Sequence, residues 1–318
     1  MTTAFVFPGQ GSQAVGMGKE LSESSAAARA VFEEVNDALC QNLSKLMFEG
    51  PIEELTLTFN AQPALMAASI AVVRVLESEF DIKMADVASY VAGHSLGEYS
   101  AHAAAGTISL TDTANLLKLR GEAMQRAVPV GIGAMAAIMG GEFETIEEIA
   151  AEATKGGVDD QVCTAANDNA DGQVVISGHK EAVERAMEIA KDRGIKRAIL
   201  LPVSAPFHCP LMQPAADEMA VALASTSFNI PSVPVITNVS AAPETNPEVL
   251  RTMLVDQITG RVRWRESVLK MGELGVDRLV EVGTGKVLSG LVRRINRDIA
   301  GQSIQNLHDI EAFAENLK

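Results

Sequence analysis

Aromatic residues are scarce in this chain, 4% of 318 residues with one Trp and two Tyr, so aliphatic side chains and Ala must fill whatever core it has. Cysteine is scarce too. Cys40, Cys163 and Cys209 are odd in number and far apart, which argues against a disulfide framework and offers no paired spacing for a zinc site. They read as buried free thiols in a reducing compartment. Basic residues are outnumbered: 26 Lys/Arg against 41 Asp/Glu leave a net charge of −15. That balance favours solubility and argues against general nucleic-acid binding. No uninterrupted apolar run approaches the roughly 18 residues of a membrane span. The opening MTTAFVFPGQGSQ lacks the basic stretch and long apolar run of a secretory signal. The expectation is a cytoplasmic protein with no nucleic-acid and no membrane partner. What the chain has in quantity is apolar residues, 47%, beside 21% charged, the balance of a globular protein with a real core. Its length allows one large domain, or a large domain with a smaller one inserted.

Periodicity divides the chain. Thr3–Phe7 is a β-type run that ends at Pro8 and the glycine-rich GQGSQ. Helical spacing follows over 26–47 and again over 63–80, where Pro63 suits a first turn. Val87–Ala92 is a second β-type run, and 110–127 reads as a helix with a Thr111/Asp112 start. Strands alternating with helices predict a parallel sheet covered on both faces. From Gly133 the order changes to strand (Gly133–Met139), helix (142–155), strands Gln161–Ala166 and Gln173–Ser177 joined by a turn-rich NDNADG, helix (180–193) and strand (Ala198–Val203). This is a βαββαβ unit of ferredoxin-like type. The expected fold class is therefore α/β: a hydrolase-like parallel-sheet core, residues 1–130 and 204–318, with an inserted ferredoxin-like small domain, residues 131–203. After it come helices at 211–224, 247–258 and 266–274, strands at Val233–Asn238 and Arg278–Val282, and a last helical region.

The chemistry-bearing feature is Gly93-His94-Ser95-Leu96-Gly97, which fits G-x-S-x-G between a strand-like and a helix-like run. Two glycines permit a sharp turn that lifts a serine oxygen above the sheet, and the following helix aims its N–H groups at the same place. Such a serine needs a base. Of the five histidines, His94 lies within the turn and would point away, His102 falls on the next helix, His308 is in the tail and His179 follows a strand of the small unit. His208 stands where the chain re-enters the larger unit, in a loop able to face a cleft; a structural histidine remains an equal reading. No acid stands out to orient an imidazole, and a main-chain carbonyl would serve as well. Arg120 is flanked by Leu116, Leu117, Leu119 and Met124. Buried, it would need an acid or a ligand carboxylate; on an amphipathic helix it is also simply a surface arginine. GQGSQA lacks the acidic residue expected about 20 positions on in a dinucleotide site, and GTGK at 283–286 is followed by Val287 rather than Ser or Thr, so no nucleotide cofactor is expected.

Together the blocks FVFPGQGSQ (5–13), QPAL (62–65), AGHSLGEYSA (92–101), RGEAMQ (from Arg120), GAMAAI (133–138), GQVVISGHKEAVE (172–184), PVSAPFHCPLM (202–212), VDQIT (255–259), VRW (262–264) and EVGTGKVLSGL (281–291) resemble one family, the malonyl-CoA:acyl-carrier-protein transacylases of type II fatty-acid synthesis. The resemblance spans nearly the whole chain. It implies Ser95 as the acylated nucleophile, His208 as its base, and main-chain N–H groups of Gln10 and Leu96 as the oxyanion hole. It further implies Gln257 as the residue whose carbonyl orients His208, and Arg120 as the holder of the malonyl carboxylate. Asn167 on the small unit and Gln62 would wall the site, and Phe207 resembles members that take malonyl rather than a branched acyl group. Malonyl-CoA and holo acyl-carrier protein would be the partners of a monomer that needs neither metal nor cofactor. Thr284 departs from the Pro expected in many members. Residues 251–297, with ten Lys/Arg against five Asp/Glu, including Arg261, Arg263, Arg265, Lys286, Arg293 and Arg294, are expected to meet the acidic carrier protein or the coenzyme phosphates, unless they are bound up in surface ion pairs.

Overall fold

The computed structural model describes residues 2–156, 161–203 and 205–317, so Ser204 of the PVSAPFHCPLM block lies outside the described residues. Ten strands occur among them: β1 (Thr3–Phe7), β2 (Tyr90–Gly93), β3 (Gly133–Met139), β4 (Cys163–Ala170), β5 (Gln173–His179), β6 (Arg197–Leu200), β7 (Val235–Ile236), β8 (Pro243–Glu244), β9 (Arg278–Val282) and β10 (Ala300–Ile304). Six form a sheet in the order β10-β9-β1-β2-β7-β8, parallel except for the β7–β8 pair. Every residue of β1 is buried, as expected of a central parallel strand covered on both faces. Its side chains alternate between two cores. Phe5 and Phe7 join Val91, Val280 and Val282 beneath the helices Ala26–Leu39, Thr58–Glu79, Leu110–Ala127 and Gln213–Ser225. Ala4 and Val6 join Ala92, Ile236 and Leu279 against the helices Trp264–Glu273 and Val287–Ile295. The chain runs outward from β1 through β2 to β7, then returns to β9 on the other flank of β1. Loops beyond the carboxyl ends of strands at such a reversal form a ready crevice.

Between Gly133 and Leu200 the chain builds a second sheet, β4-β5-β3-β6, antiparallel throughout. One face carries Ala136, Ile138, Val174 and Ile176 under the helices Phe143–Ala153 and Lys180–Asp192. The other face carries Met135, Ala137 and Val175, packed with Leu201, Val203 and Phe207, and turns toward the first sheet. Main-chain bonds seam the two: Val262 N donates to Ala166 O (2.9 Å) and Asp168 N to Val262 O (3.0 Å). Arg265 Nε spans both oxygens of Asp168 at 3.0 and 2.9 Å.

Several elements differ from the sequence expectation. NDNADG is not a turn throughout: β4 runs on to Ala170 with two register irregularities, and only Asp171–Gly172 turns. Its polar residues are held extended by the seam to Val262 and Arg265, which sequence periodicity does not report. The helix expected over 26–47 breaks at Cys40, which takes a left-handed φ of 47°, and restarts at Leu43 with Asn42 accepting from Lys45 N (3.1 Å). The helix expected over 63–80 begins already at Thr58, so Pro63 stands inside it, where the missing N–H costs only the bond to Phe59 near the helix start. Thr58–Glu79 has the length and composition of a membrane span, yet its apolar window is 89% buried inside the molecule. The second strand starts at Tyr90 rather than Val87, and the sixth ends at Leu200 rather than Val203. β7 is only two residues long, and the expected last helical region is divided by β10 into the helices Val287–Ile295 and Leu307–Glu315.

Candidate functional site

β2 ends at Gly93 and the helix Leu96–Ala104 begins three residues later, leaving Ser95 at φ 54° and ψ −112°. A non-glycine residue there is strained by about 1–3 kcal/mol and persists only where its surroundings fix it. The turn is tight enough to demand both glycines. A Cβ on Gly93 would stand 1.9 Å from the carbonyl carbon of Gly97, and one on Gly97 would stand 2.2 Å from Phe7 O. The result is a serine at the mouth of a helix N-terminus, where free N–H groups and the positive end of the helix dipole converge.

Ser95 Oγ lies 2.7 Å from His208 Nε2, and His208 Nδ1 lies 2.9 Å from Gln257 O. A carbonyl only accepts, so Nδ1 carries the proton and Nε2 is left to accept from the serine hydroxyl. His208 is itself held at a positive φ of 57°. Burial pushes its pKa down to about 3, and the nearby Arg120 charge adds to the push, so the imidazole is neutral at ordinary pH. Arg120 is buried in the same place. Its Nη2 donates to Ser95 Oγ (3.2 Å) and Gln257 Oε1 (2.8 Å), and its Nη1 to Gln62 Oε1 (2.7 Å). Its Nε has no partner among the described residues, and burial lowers its pKa. A cation held by amide oxygens and one hydroxyl, beside an open cavity, is suited to receive a carboxylate.

That cavity, about 280 Å³, is lined by Gln10, Gln62, Ser95, Leu96, Arg120, Asn167, Phe207 and His208 among others. Every site residue named from the sequence is therefore brought together there, with Gln257 directly behind. Leu96, as the first helical residue, offers one of the helix's unpaired N–H groups. The Gln10 loop leaves β1 beside the turn, and Thr58 Oγ1 bridges Gln10 Oε1 (3.0 Å) and Gln62 Nε2 (2.9 Å). The small sheet closes the opposite wall with Met135, Asn167, Asn169 and Val175. His94 turns its Nε2 to Asn169 Oδ1 (2.8 Å) rather than to Ser95. No group of three or more His, Cys, Asp or Glu among the described residues could hold a metal ion.

Two buried residues of this neighbourhood, Asn238 and Glu98, were given no role in the sequence reading. Asn238 closes the strand run before it, and Glu98 is the acid of GHSLGE; a polar group ending an apolar strand, and an acid in the first turn after the serine, were the available signals. Of the basic set at 251–297, Arg261 and Arg263 pair with Glu266, and Arg265 with Asp168 and Asp171. Arg294 bonds Gln173 and Asp171 O, whereas Lys286, Arg293 and Arg297 stand exposed.

Comparison with known proteins identifies the family. The acyl transferase domain family matches residues 4–315. The malonyl CoA-acyl carrier protein transacylase of Escherichia coli K12 is 49% identical over 292 residues, covering 92% of each chain. The acyl-carrier-protein-S-malonyltransferase of Bartonella henselae superposes with a TM-score of 0.96 at 55% identity, over 100% of this chain and 99% of that one. A malonyl-transacylase solved in complex with its type II PKS acyl-carrier protein superposes at 0.94 with 43% identity, over 99% of this chain and all of that one. The chain belongs to the acyl transferase family, among its malonyl CoA-acyl carrier protein transacylases.

Proposed function

We propose that the protein moves a malonyl group from malonyl-CoA to the phosphopantetheine thiol of acyl-carrier protein in fatty-acid synthesis, through a malonyl ester on Ser95. The observation that carries this is the joint placement of the Ser95–His208–Gln257 carbonyl chain and the buried Arg120 around one cavity. His208 Nε2 takes the hydroxyl proton as Ser95 Oγ attacks the thioester carbon. The N–H groups of Leu96 and Gln10 receive the oxyanion. As the C–S bond breaks, the proton passes to the departing coenzyme A sulfur. The carrier thiol then gives its proton to His208 and attacks the ester carbon; as the C–O bond breaks, His208 returns that proton to Ser95 Oγ and both residues are restored. Arg120 pairs with the free carboxylate of the malonyl group, with Gln62 beside it, and Asn167 and Phe207 bound the acyl room. Pairing also offsets the Arg120 charge, one of the influences that hold the His208 pKa down, so the base strengthens when the right acyl group is in place.

The core of residues 1–130 and 204–318 and the ferredoxin-like unit of 131–203 are the two domains of this reading, supported by the strand order and the separate cores. The protein acts as a cytoplasmic monomer. The carrier protein docks on the exposed basic side chains Lys286, Arg293 and Arg297, since Arg261, Arg263 and Arg265 are already paired. Replacing Lys286 and Arg293 by Glu slows transfer to the carrier roughly tenfold at low salt and leaves acylation by malonyl-CoA closer to normal. An unchanged carrier step removes this surface from the reading. A polyketide carrier is the second reading, favoured by the likeness to the transacylase solved with such a carrier.

Intact mass after mixing with malonyl-CoA, beside Ser95→Ala, then after adding holo acyl-carrier protein, tests the whole scheme. Wild type alone gains one malonyl group and passes it on. An adduct equally present on Ser95→Ala, or none on either protein, refutes the mechanism; an adduct that drains only to water makes the protein a hydrolase.

A further inference from the structure

Three main-chain groups of the serine turn are bound by side chains from distant elements. Gly93 O accepts from Asn238 Nδ2 (2.6 Å), Ser95 N donates to Asn238 Oδ1 (2.8 Å), and Ser95 O accepts from Gln257 Nε2 (3.0 Å). Both clamping residues converge on one further atom. Glu98 Oε2 accepts from Asn238 N (3.0 Å) and from Gln257 Nε2 (2.7 Å). Glu98 is wholly buried, and its Oε1 has no hydrogen-bond partner among the described residues. Its cation lies one residue away: Gln257 stands between the carboxylate and Arg120.

We propose that Glu98 is a positioning residue for the transfer, whose carboxylate fixes the Gln257 amide and the Asn238 main chain and through them the serine turn and the Arg120 guanidinium. Hydrogen-bond polarity dictates the arrangement. Both N–H bonds of the Gln257 amide are spent, on Ser95 O and Glu98, which leaves its Oε1 to face Arg120. Turned over, the amide would set its oxygen against a carboxylate and a carbonyl, and its NH2 against a guanidinium. Glu98 thus selects the only orientation in which Gln257 can bind Arg120. The same residue's carbonyl receives His208 Nδ1, so nucleophile, base and cation share one anchor. A buried acid without a directly bonded cation is costly, and its acidity records the cost: burial raises the pKa to about 7 against the pull of Gln257, Asn238 and Arg120. A group needed only to fill space would be apolar.

The inference rests on Ser95 being the nucleophile, so its test uses a probe blind to malonyl recognition. The second-order rate of Ser95 labelling by an uncharged fluorophosphonate is measured for wild type, Glu98→Gln, Glu98→Leu and Asn238→Ala, with a thermal melt of each. Glu98→Leu is expected to label roughly a hundredfold more slowly, the scale of a misplacement of about 1 Å. Glu98→Gln, whose carbonyl oxygen can still accept both N–H groups, recovers at least about tenfold of that loss, and Asn238→Ala loses about tenfold. Equal rates for folded Glu98→Leu and wild type overturn the proposal, as does a Glu98→Gln no better than Leu. If Glu98→Leu does not fold, an unchanged rate in Asn238→Ala overturns it. A wild type that resists labelling refutes the Ser95 reading itself, and this proposal with it.

Discussion

Arg120 carries a buried positive charge whose bonded partners are amide oxygens and a hydroxyl rather than a carboxylate. A ligand that brings the missing anion gains a charge-assisted, two-pronged bond; one that lacks it leaves the guanidinium short of its partner. Arg120→Ala should therefore lower transfer of malonyl by about a hundredfold or more and transfer of acetyl far less. Equal losses in kcat/KM with the two thioesters would sink that role. Legibility at this scale was uneven. Ser95 stood out because its spacing has a local physical cause. His208 was set apart from the other four histidines by its loop, yet on the residues alone a structural role weighed as much, because the group that orients it is the main-chain oxygen of Gln257, and every residue has one. Arg120 was ambiguous for the same reason: its burial is a property of the assembled molecule. The family resemblance supplied what local chemistry could not, and the geometry is consistent with it.

The turn around Ser95 is an element with no slack. Gly97→Ala would press a methyl to 2.2 Å from Phe7 O, main chain that cannot step aside. The variant should lose at least about 3 kcal/mol of stability or fail to fold. Gly290, exposed within the helix Val287–Ile295, has open space where a methyl group would stand, with nothing within 4 Å. There the same substitution should raise stability by about 0.5–1 kcal/mol through helix propensity. Denaturant melts of both decide; equal effects would mean that the crowding at Gly97 is relieved by movement of β1. Long periodic helices and the buried strands β1, β2 and β9 were readable because one face or both faces must be apolar. β10 was not, since Ala300-Gly301-Gln302-Ser303-Ile304 owes its extension to pairing with β9 rather than to side chains that favour strands. NDNADG misled in the same way, its extended form being imposed by Val262 and Arg265.

On the scale of the whole molecule, acid should loosen the fold. Burial depresses the pKa values of His94, His102 and His208, so below about pH 6.5 the unfolded chain takes up protons that the folded one refuses, and stability falls with pH. Glu98 and Asp168, raised by burial, run the other way: folded, they take protons at higher pH than unfolded. The histidines, two of them pushed to about 3, outweigh the one acid raised to about 7, so the melting temperature should fall between about pH 6.5 and 5; a melting temperature that holds or rises over that range contradicts it. The joint between the sheets is a second whole-molecule property. Asp168 has its carboxylate almost sealed from solvent against Arg265, so Arg265→Met strands a buried charge and should cost about 3 kcal/mol, read in a denaturant melt. A loss below about 0.5 kcal/mol would show that the joint does not depend on this pair. The two sheets also divide a labour. On the proposed mechanism the bond-making atoms stand beside the parallel sheet, while Met135 and Val175 line the cavity from the antiparallel one. A lineage can thus change its taste in acyl groups by retailoring one wall of a mould while the tool that cuts the thioester stays as it was.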